Sequence, residues 1–457
     1  MFEGTRAALE IVWSGLGGAP GAAARLAIDG AGELPSVLAV SDLAGASVGA
    51  ACLAVAELVA ARQGAAPAAS VDRRLASFWF GTSIRPQGWE TPPAWDAVAG
   101  DYRTADGWIR LHTNAPHHRA AALAVLEAPA ERTAVARAVA GWAADALEAA
   151  IVAQGGCAAA MRDIPGWAAH PQGRAVAAEP LVIRESAAAG PAPDWAVPAN
   201  RPLRGVRVLD MTRVLAGPVA TRFLAGFGAE VLRIDPPDWD EPAIVPDVTL
   251  GKSCARLDLR RPAERARWES LLRGADVLVH GYRPAALDGL GLGAARRRDL
   301  CPGLVDISLD AYGWSGPWHG RRGFDSLVQM SSGIAAAGMA RLGRDQPTPL
   351  PVQALDHATG YLLAAAALRG LTERLTAGAG SAVRLSLART AALLVGLPAE
   401  TGAPFDAETP ADLADGTETT VWGPARRLRA PCGLAGSQPH WDLPAAALGS
   451  APPAWRR

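Results

Sequence analysis

Apolar residues along this chain follow two rhythms. In the second half, short unbroken runs alternate with longer amphipathic stretches: LRGVRVLDMT reads as a buried strand, PVATRFLAGFG as a helix, and AEVLRID as a second strand after a turn at Gly228. RPAERARWESLLRG then gives a helix, ADVLVHGY a strand and LCPGLVDISLD another. Short strands separated by helical lengths predict βαβ units and a parallel sheet.

The second rhythm is a repeat. PSVLAVSDLAGASVGAACLAVAELVAAR and PLPVQALDHATGYLLAAAALRGLTER each place an aspartate, Asp42 or Asp356, at the head of an Ala-rich apolar stretch. Each predicts a buried helix entered at the aspartate, a residue type that readily caps helices. Aligning the two aspartates pairs Pro35 with Pro349 and Ala44 with Ala358. ASVDRRLASF follows the first helix and SAVRLSLARTAAL the second, with a slip of a residue or two expected between them. Polar residues and glycines interrupt both stretches, so neither reaches the run expected of a membrane-spanning helix.

Between the copies, DYRTADGWIRLHTN predicts a turn at Asp106 and Gly107 leading into a strand, and ERTAVARAVAGWAADALEAAIVAQGG predicts helices closing on Gly155 and Gly156. Residues 186–201, rich in Pro, Ala and Gly without periodicity, predict the main linker. The expected division is 1–100 with the Asp42 helix, a small unit over 101–185, the linker 186–201, a large α/β unit over 202–395 with the Asp356 helix, and an irregular closing segment over 396–457.

With 457 residues, 50% of them hydrophobic, the chain has material for more than one core. Its 44 basic and 45 acidic residues leave a formal net charge of -1, which speaks against the broad basic surface that tracks a nucleic-acid backbone. Cys52, Cys157, Cys254, Cys301 and Cys432 form neither a disulfide framework nor a CxxC pair, and MFEGTRAALEIVWSGLGG lacks the basic start and apolar core of a secretory signal. A cytoplasmic protein is expected. His112, His117 and His118 have no acidic partner at ligand spacing, so no metal site is expected. Neither a GxSxG elbow nor a Walker loop is present. LAGPVATRFLAG stands where a dinucleotide fold requires GxGxxG, although Asp235 ends the second strand where such a fold holds a ribose.

The blocks RPLRGVRVLDMTRVLAGPVATRFLAGFGAEVLRIDPP, GKSCARLDLR, ADVLVHGYRPAALDGLGLG, LVDISLDAYGWSGPWHGRRGFDSLVQMSSGIAAAG and PLPVQALDHATGYLLAAAALRGLTER succeed one another over about 201–393. Together they resemble the family III coenzyme A transferases, also called formyl-CoA transferase-like or carnitine dehydratase-like. The resemblance implies an α/β fold with a Rossmann-like large domain and a smaller α+β domain, the latter matched by DGWIRLHTN and GGCAAAMRDIPGWAAHPQG. The order of parts departs from the family's. Residues 1–100 resemble a partial copy of the large domain without its opening blocks, whereas the second half keeps those blocks and lacks the small domain. The chain thus reads as a rearranged fusion of two complementary partial copies. Because family members form interlocked dimers, either a homodimer or a pseudo-dimer within one chain is implied.

The implied reaction moves CoA between an acyl-CoA thioester and a carboxylic acid, with the CoA thioester as substrate and no tightly bound cofactor. Asp356 matches the family's nucleophile, which forms a mixed anhydride and then an aspartyl-CoA thioester, an exchange suited to a carboxylate. Asp42 lacks the surrounding blocks and reads as a structural cap. By the same matching, Val214, Ala216 and Gly217 let the ligand approach the first loop, Lys252 and Arg283 lie toward the nucleotide and phosphates, and Tyr312 and Gly313 shape a substrate-facing loop. Ser253, however, replaces an arginine of the family pattern. Phe324 replaces the histidine of related racemases, which disfavours racemisation by that pair. GAPFDAETPADLADGTETTVWGP offers no glycine run to close over the aspartate, and an unshielded anhydride hydrolyses. An acyl-CoA isomerase, racemase or lyase, and a noncatalytic CoA-binding or complex-forming protein, therefore stay open as alternatives.

Overall fold

The structure, a computed structural model, describes residues 2–190, 193–238, 240–400 and 402–456. Positions 191 and 192 of the expected linker, 239 of the large unit, and 1, 401 and 457 of the outer segments lie outside the described residues.

The βαβ rhythm folds into a seven-stranded sheet. Its spatial order is Lys252–Arg256, Glu230–Asp235, Arg207–Met211, Val277–His280, Val305–Asp310 and Ala379–Ser386, all parallel, with Ile183–Ala189 antiparallel at the far edge. Strands apolar on both faces need cover on both. Val208, Val277 and Val305 point into the core built by the two aspartate helices, while their neighbours Leu209 and Leu278 meet Trp268 and Leu271 on the opposite side. Strand order reverses between Arg207–Met211 and Val277–His280, which leaves a crevice beyond their carboxyl ends, where ligands bind in sheets of this kind.

Ile183–Ala189 corrects the expected start of the linker. Its Ala- and Ser-rich composition carries no strand periodicity, but the open edge at Ala379–Ser386 supplies its backbone partners.

The helices Val40–Gln63 and Ala354–Ala377 are each 24 residues long and pack along each other in the largest core. Contrary to the expectation from its interruptions, Val40–Gln63 is long and apolar enough to cross a membrane by length and composition; 89% of its most apolar window is buried within the fold. A helix hydrophobic all round needs neighbours on every side, and the helix Glu3–Gly15 covers another flank.

The repeat keeps its register further than the expected slip. N-caps Ala39 and Gln353, left-handed C-caps Gly64 and Gly378, and the N-caps Asp72 and Ser386 of the next helices, Arg73–Trp79 and Leu387–Gly396, all stand at the same separation as Asp42 and Asp356. Neither aspartate is a cap. Each helix begins two residues earlier, where the N–H groups of Val40 and Ala354 bond the carbonyls of Leu38 and Val352. Both aspartates therefore sit at the third helical position, and neither helix has a side-chain cap from its own N-cap residue.

The small unit holds an antiparallel sheet, Gly100–Arg103, Trp108–Leu111 and Ala158–Ala160, around its own core of Ile109, Val135, Leu147 and Ile151. The closing segment is not irregular throughout. Glu418–Thr420 and Gly423–Arg427 form a sheet with Ile84–Pro86, and Cys432–Leu434 pairs with Ala69–Asp72. Strands of three to five residues are too short to leave a readable period.

Candidate active site

A cavity of about 370 Å³ lies beyond the carboxyl ends of the central strands. Met211, Gly281, Asp310 and Leu387, each at or just after a strand end, form part of its wall. Asp356 reaches the same wall from its helix. One turn later Gly360 leaves no Cβ; one added there would lie 2.5 Å from the Ala216 carbonyl oxygen. This close approach seats the start of the helix Ala216–Gly226 beside the Asp356 helix.

Val214 also lines the cavity and adopts φ +61°, a left-handed conformation that is strained for a β-branched residue. Its N–H donates to a Glu241 carboxylate oxygen at 2.8 Å, which helps hold the strained loop.

Asp356 is buried, yet among the described residues no Lys, Arg or His forms an ion pair with it. The positive end of its helix is used by another carboxylate. Asp325 accepts the N–H groups of Leu355 and Asp356 at 2.9 and 3.0 Å through one oxygen, and its other oxygen accepts the Gln329 amide. Burial, then the charges of Asp325 and Glu241, push the Asp356 carboxyl well above the usual carboxylate range; burial raises Asp325 to about 6. Two carboxyls this close resist double ionisation.

Asp42 has the opposite surroundings. Its carboxylate takes the Thr5 hydroxyl and pairs with Arg73 Nε at 3.0 Å, while Arg73 also reaches Glu400 at 2.7 Å. The Asp42 N–H donates to the same Glu400 at 2.6 Å. The side chain expected to cap the helix is therefore an ion-pair partner, because Arg73 lies within reach and the carboxylate turns toward it.

Four arginines, Arg213, Arg283, Arg321 and Arg322, line the cavity. Arg321 is bound to Glu148 and the Ala158 carbonyl and lies 3.9 Å from the Trp318 ring centre. Among the described residues Arg283 and Arg322 have no carboxylate partner. Burial and then the charge of Arg322 lower Arg283 from its ordinary value. Arg283, Arg321 and Arg322 also form the wall shared with a second cavity of about 730 Å³ toward Trp318 and His170.

Phe324 stacks on His112 at 3.7 Å and meets the edge of His118, which lines the first cavity. Burial takes both imidazoles to about 3, so both are neutral at physiological pH. Among the described residues no group of three or more His, Cys, Asp or Glu is disposed to hold a metal ion.

Of the residues read from sequence, Asp356, Val214, Ala216 and Arg283 meet at the cavity, and four do not. Lys252 is wholly buried, with Nζ bonded to Asp210 at 3.0 Å, Thr221 at 2.6 Å and the Pro218 carbonyl at 2.9 Å, so it serves the interior of the sheet. Gly217 makes room for Thr212, whose Cβ would lie 2.3 Å from an added Cβ. Tyr312 is buried against Ser331, their hydroxyls 3.1 Å apart, and Gly313 turns the chain at φ +104° while donating its N–H to Asp310 at 2.9 Å. Asp235 is gripped by Arg233 and is not free for a ribose. Sequence reading missed Asp310, Asp325, His118 and Arg322. Asp310, as the last residue of a central strand, carried the most usable signal.

Residues 203–420 match the model of CoA-transferase family III. The chain is 32% identical over 217 residues to the acetyl-coenzyme A transferase nodX of Hypoxylon pulicicidum, covering 45% of this chain and 37% of the relative. It is 32% identical over 195 residues to the succinyl-CoA:glutarate CoA-transferase of Mus musculus, covering 39% and 44% respectively. The chain thus spans less than half the length of these two relatives. The crystal structure of Rv3272 from M. tuberculosis is 31% identical with a TM-score of 0.39, over 42% of this chain and 57% of that one.

Proposed function

We propose that this protein transfers coenzyme A between an acyl-CoA thioester and a carboxylic acid, with Asp356 as the nucleophile. The observation that carries this reading is a buried carboxylate with no counter-cation among the described residues, facing a cavity at the reversal point of the sheet in the region that matches the family III model. Asp356 attacks the thioester carbonyl carbon, the C–S bond breaks, and a mixed anhydride forms as the CoA thiolate leaves. The thiolate then attacks the aspartyl carbonyl, releasing the first acid and leaving an aspartyl-CoA thioester. The acceptor carboxylate repeats these steps in reverse to leave as a new acyl-CoA. CoA enters as substrate, and the proposed reaction requires no resident cofactor.

Arg283 and Arg322 are suited to the CoA phosphates, since guanidiniums at a shared cavity wall that have no carboxylate partner among the described residues offer charge without first breaking an ion pair. The helix beginning at Ala216 adds its positive end. The second cavity would take the remainder of the cofactor-sized substrate. We further read the two aspartate helices as the partners of a pseudo-dimer within one chain, formed by a rearranged fusion of two partial copies. The shared register of their caps and of the helices after them supports that reading. The five free, buried cysteines are compatible with a cytoplasmic setting.

Incubation with acyl-CoAs and then with hydroxylamine or borohydride should modify Asp356, with the adduct located by mass spectrometry. Asp356→Ala should abolish both adduct and transfer. Full transfer by that variant would overturn the proposal.

A further inference from the structure

We propose that the same cavity also hydrolyses acyl-CoA, with Asp310, on the same cavity wall as Asp356, as the proton-transfer group; this rests on Asp356 being the nucleophile. Asp310 and Asp356 are the two carboxyl groups of the cavity wall among the described residues. Asp310 ends the strand Val305–Asp310, a rigid position at the mouth of the crevice. One of its oxygens is fixed by the Gly313 N–H at 2.9 Å, a bond that needs the glycine's left-handed turn. The other oxygen is buried and, among the described residues, has neither a hydrogen-bond partner nor a cation. Behind it stands Glu179, held by the N–H groups of Trp314 and Ser315, both at 2.8 Å. Burial, together with the charge of Glu179, raises Asp310 to about 7, so acid and carboxylate are both present near neutral pH.

The steps balance with one proton. With that proton on Asp310, the Asp356 carboxylate attacks the thioester, and the departing thiolate takes the proton as the C–S bond breaks. CoA leaves as the thiol, which is a poor nucleophile toward the anhydride. Asp310, now a carboxylate, removes a proton from water as its oxygen bonds the acyl carbonyl carbon. The anhydride C–O bond breaks, releasing the free acid and restoring both aspartates. Among the described residues none of 396–457 lines the cavity, so the closing segment does not shield this step from water.

The test uses the full chain with acetyl-CoA, succinyl-CoA and octanoyl-CoA, without an acceptor acid, in 18O-labelled water. Free thiol should appear, with one label in the released acid. Asp310→Asn should lower thiol release by about 100-fold, while hydroxylamine still traps the Asp356 adduct, which shows that the variant is folded and acylated. Asp310→Glu should restore part of the rate. An Asp356 adduct without thiol turnover from any of the three substrates, or undiminished hydrolysis by Asp310→Asn, would overturn this inference and leave the transferase intact. Absence of any Asp356 adduct in the wild-type protein would instead overturn the transferase reading.

Discussion

Asp42 and Asp356 occupy the same turn of two helices of equal length, and a carboxylate from elsewhere bonds the backbone N–H of each, Glu400 for Asp42 and Asp325 for Asp356. The two segments diverge one strand further along the chain. At the first position of the next helix, the Asp42 segment has Arg73 and the Asp356 segment has Leu387. Arg73 pairs with Asp42 and Glu400, whereas Leu387 gives the Asp356 cavity an apolar wall. Position on a scaffold therefore does not by itself make a carboxylate reactive. The absence of a counter-charge, in a site from which water is partly excluded, separates a candidate nucleophile from a structural ion pair.

That contrast can be broken from either side. Arg73→Leu should be the larger disturbance. It strands two buried carboxyls and should cost about 3–5 kcal/mol of stability, measured as the shift of a denaturant unfolding curve. Leu387→Arg carries the cation into the other segment. An Arg–carboxylate bond there stabilises Asp356 before attack, so transfer should fall by roughly ten- to a hundredfold, read from the rate of Asp356 acylation with the fold checked by circular dichroism. The mildest change sharpens the electrostatic account. Because burial and Asp325 raise the Asp356 carboxyl, and only its ionised form attacks, the acylation rate should climb as pH rises above the usual carboxylate range. Asp325→Asn removes a neighbouring negative charge while keeping an oxygen for the helix N–H groups. The rising limb should therefore move to lower pH, and an unmoved limb would show that Asp325 does not set the ionisation of Asp356.

Much of the large sheet was legible because its strands and helices alternate at separations that only a parallel arrangement satisfies. Ile183–Ala189 was not legible: its pairing depends on a vacant sheet edge formed almost two hundred residues later in the chain. Within the candidate site, a match of motifs placed Asp356, Val214, Ala216 and Arg283 in one region, and the cavity contains all four. Lys252 failed for a directional reason. A strand residue faces one side or the other, and its side turned inward to Asp210. Tyr312 and Gly313 come just after Leu309, Asp310 and Ala311, the residues of this segment that line the cavity, since the strand extends as far as Asp310 before the chain turns. Arg322 and His118 come from separate segments, so their convergence belongs to tertiary packing rather than to any local pattern.

The side-by-side packing of the two aspartate helices in one polypeptide has a consequence for how such a site can change over generations. When identical subunits supply both helices, every substitution arrives twice, and an arginine that steadies one aspartate must also be tolerated beside its counterpart. In this chain the two positions are separate letters of one gene. Arg73 can lock one aspartate while Leu387 leaves the other open, a division of labour that a symmetric pair of identical chains cannot write.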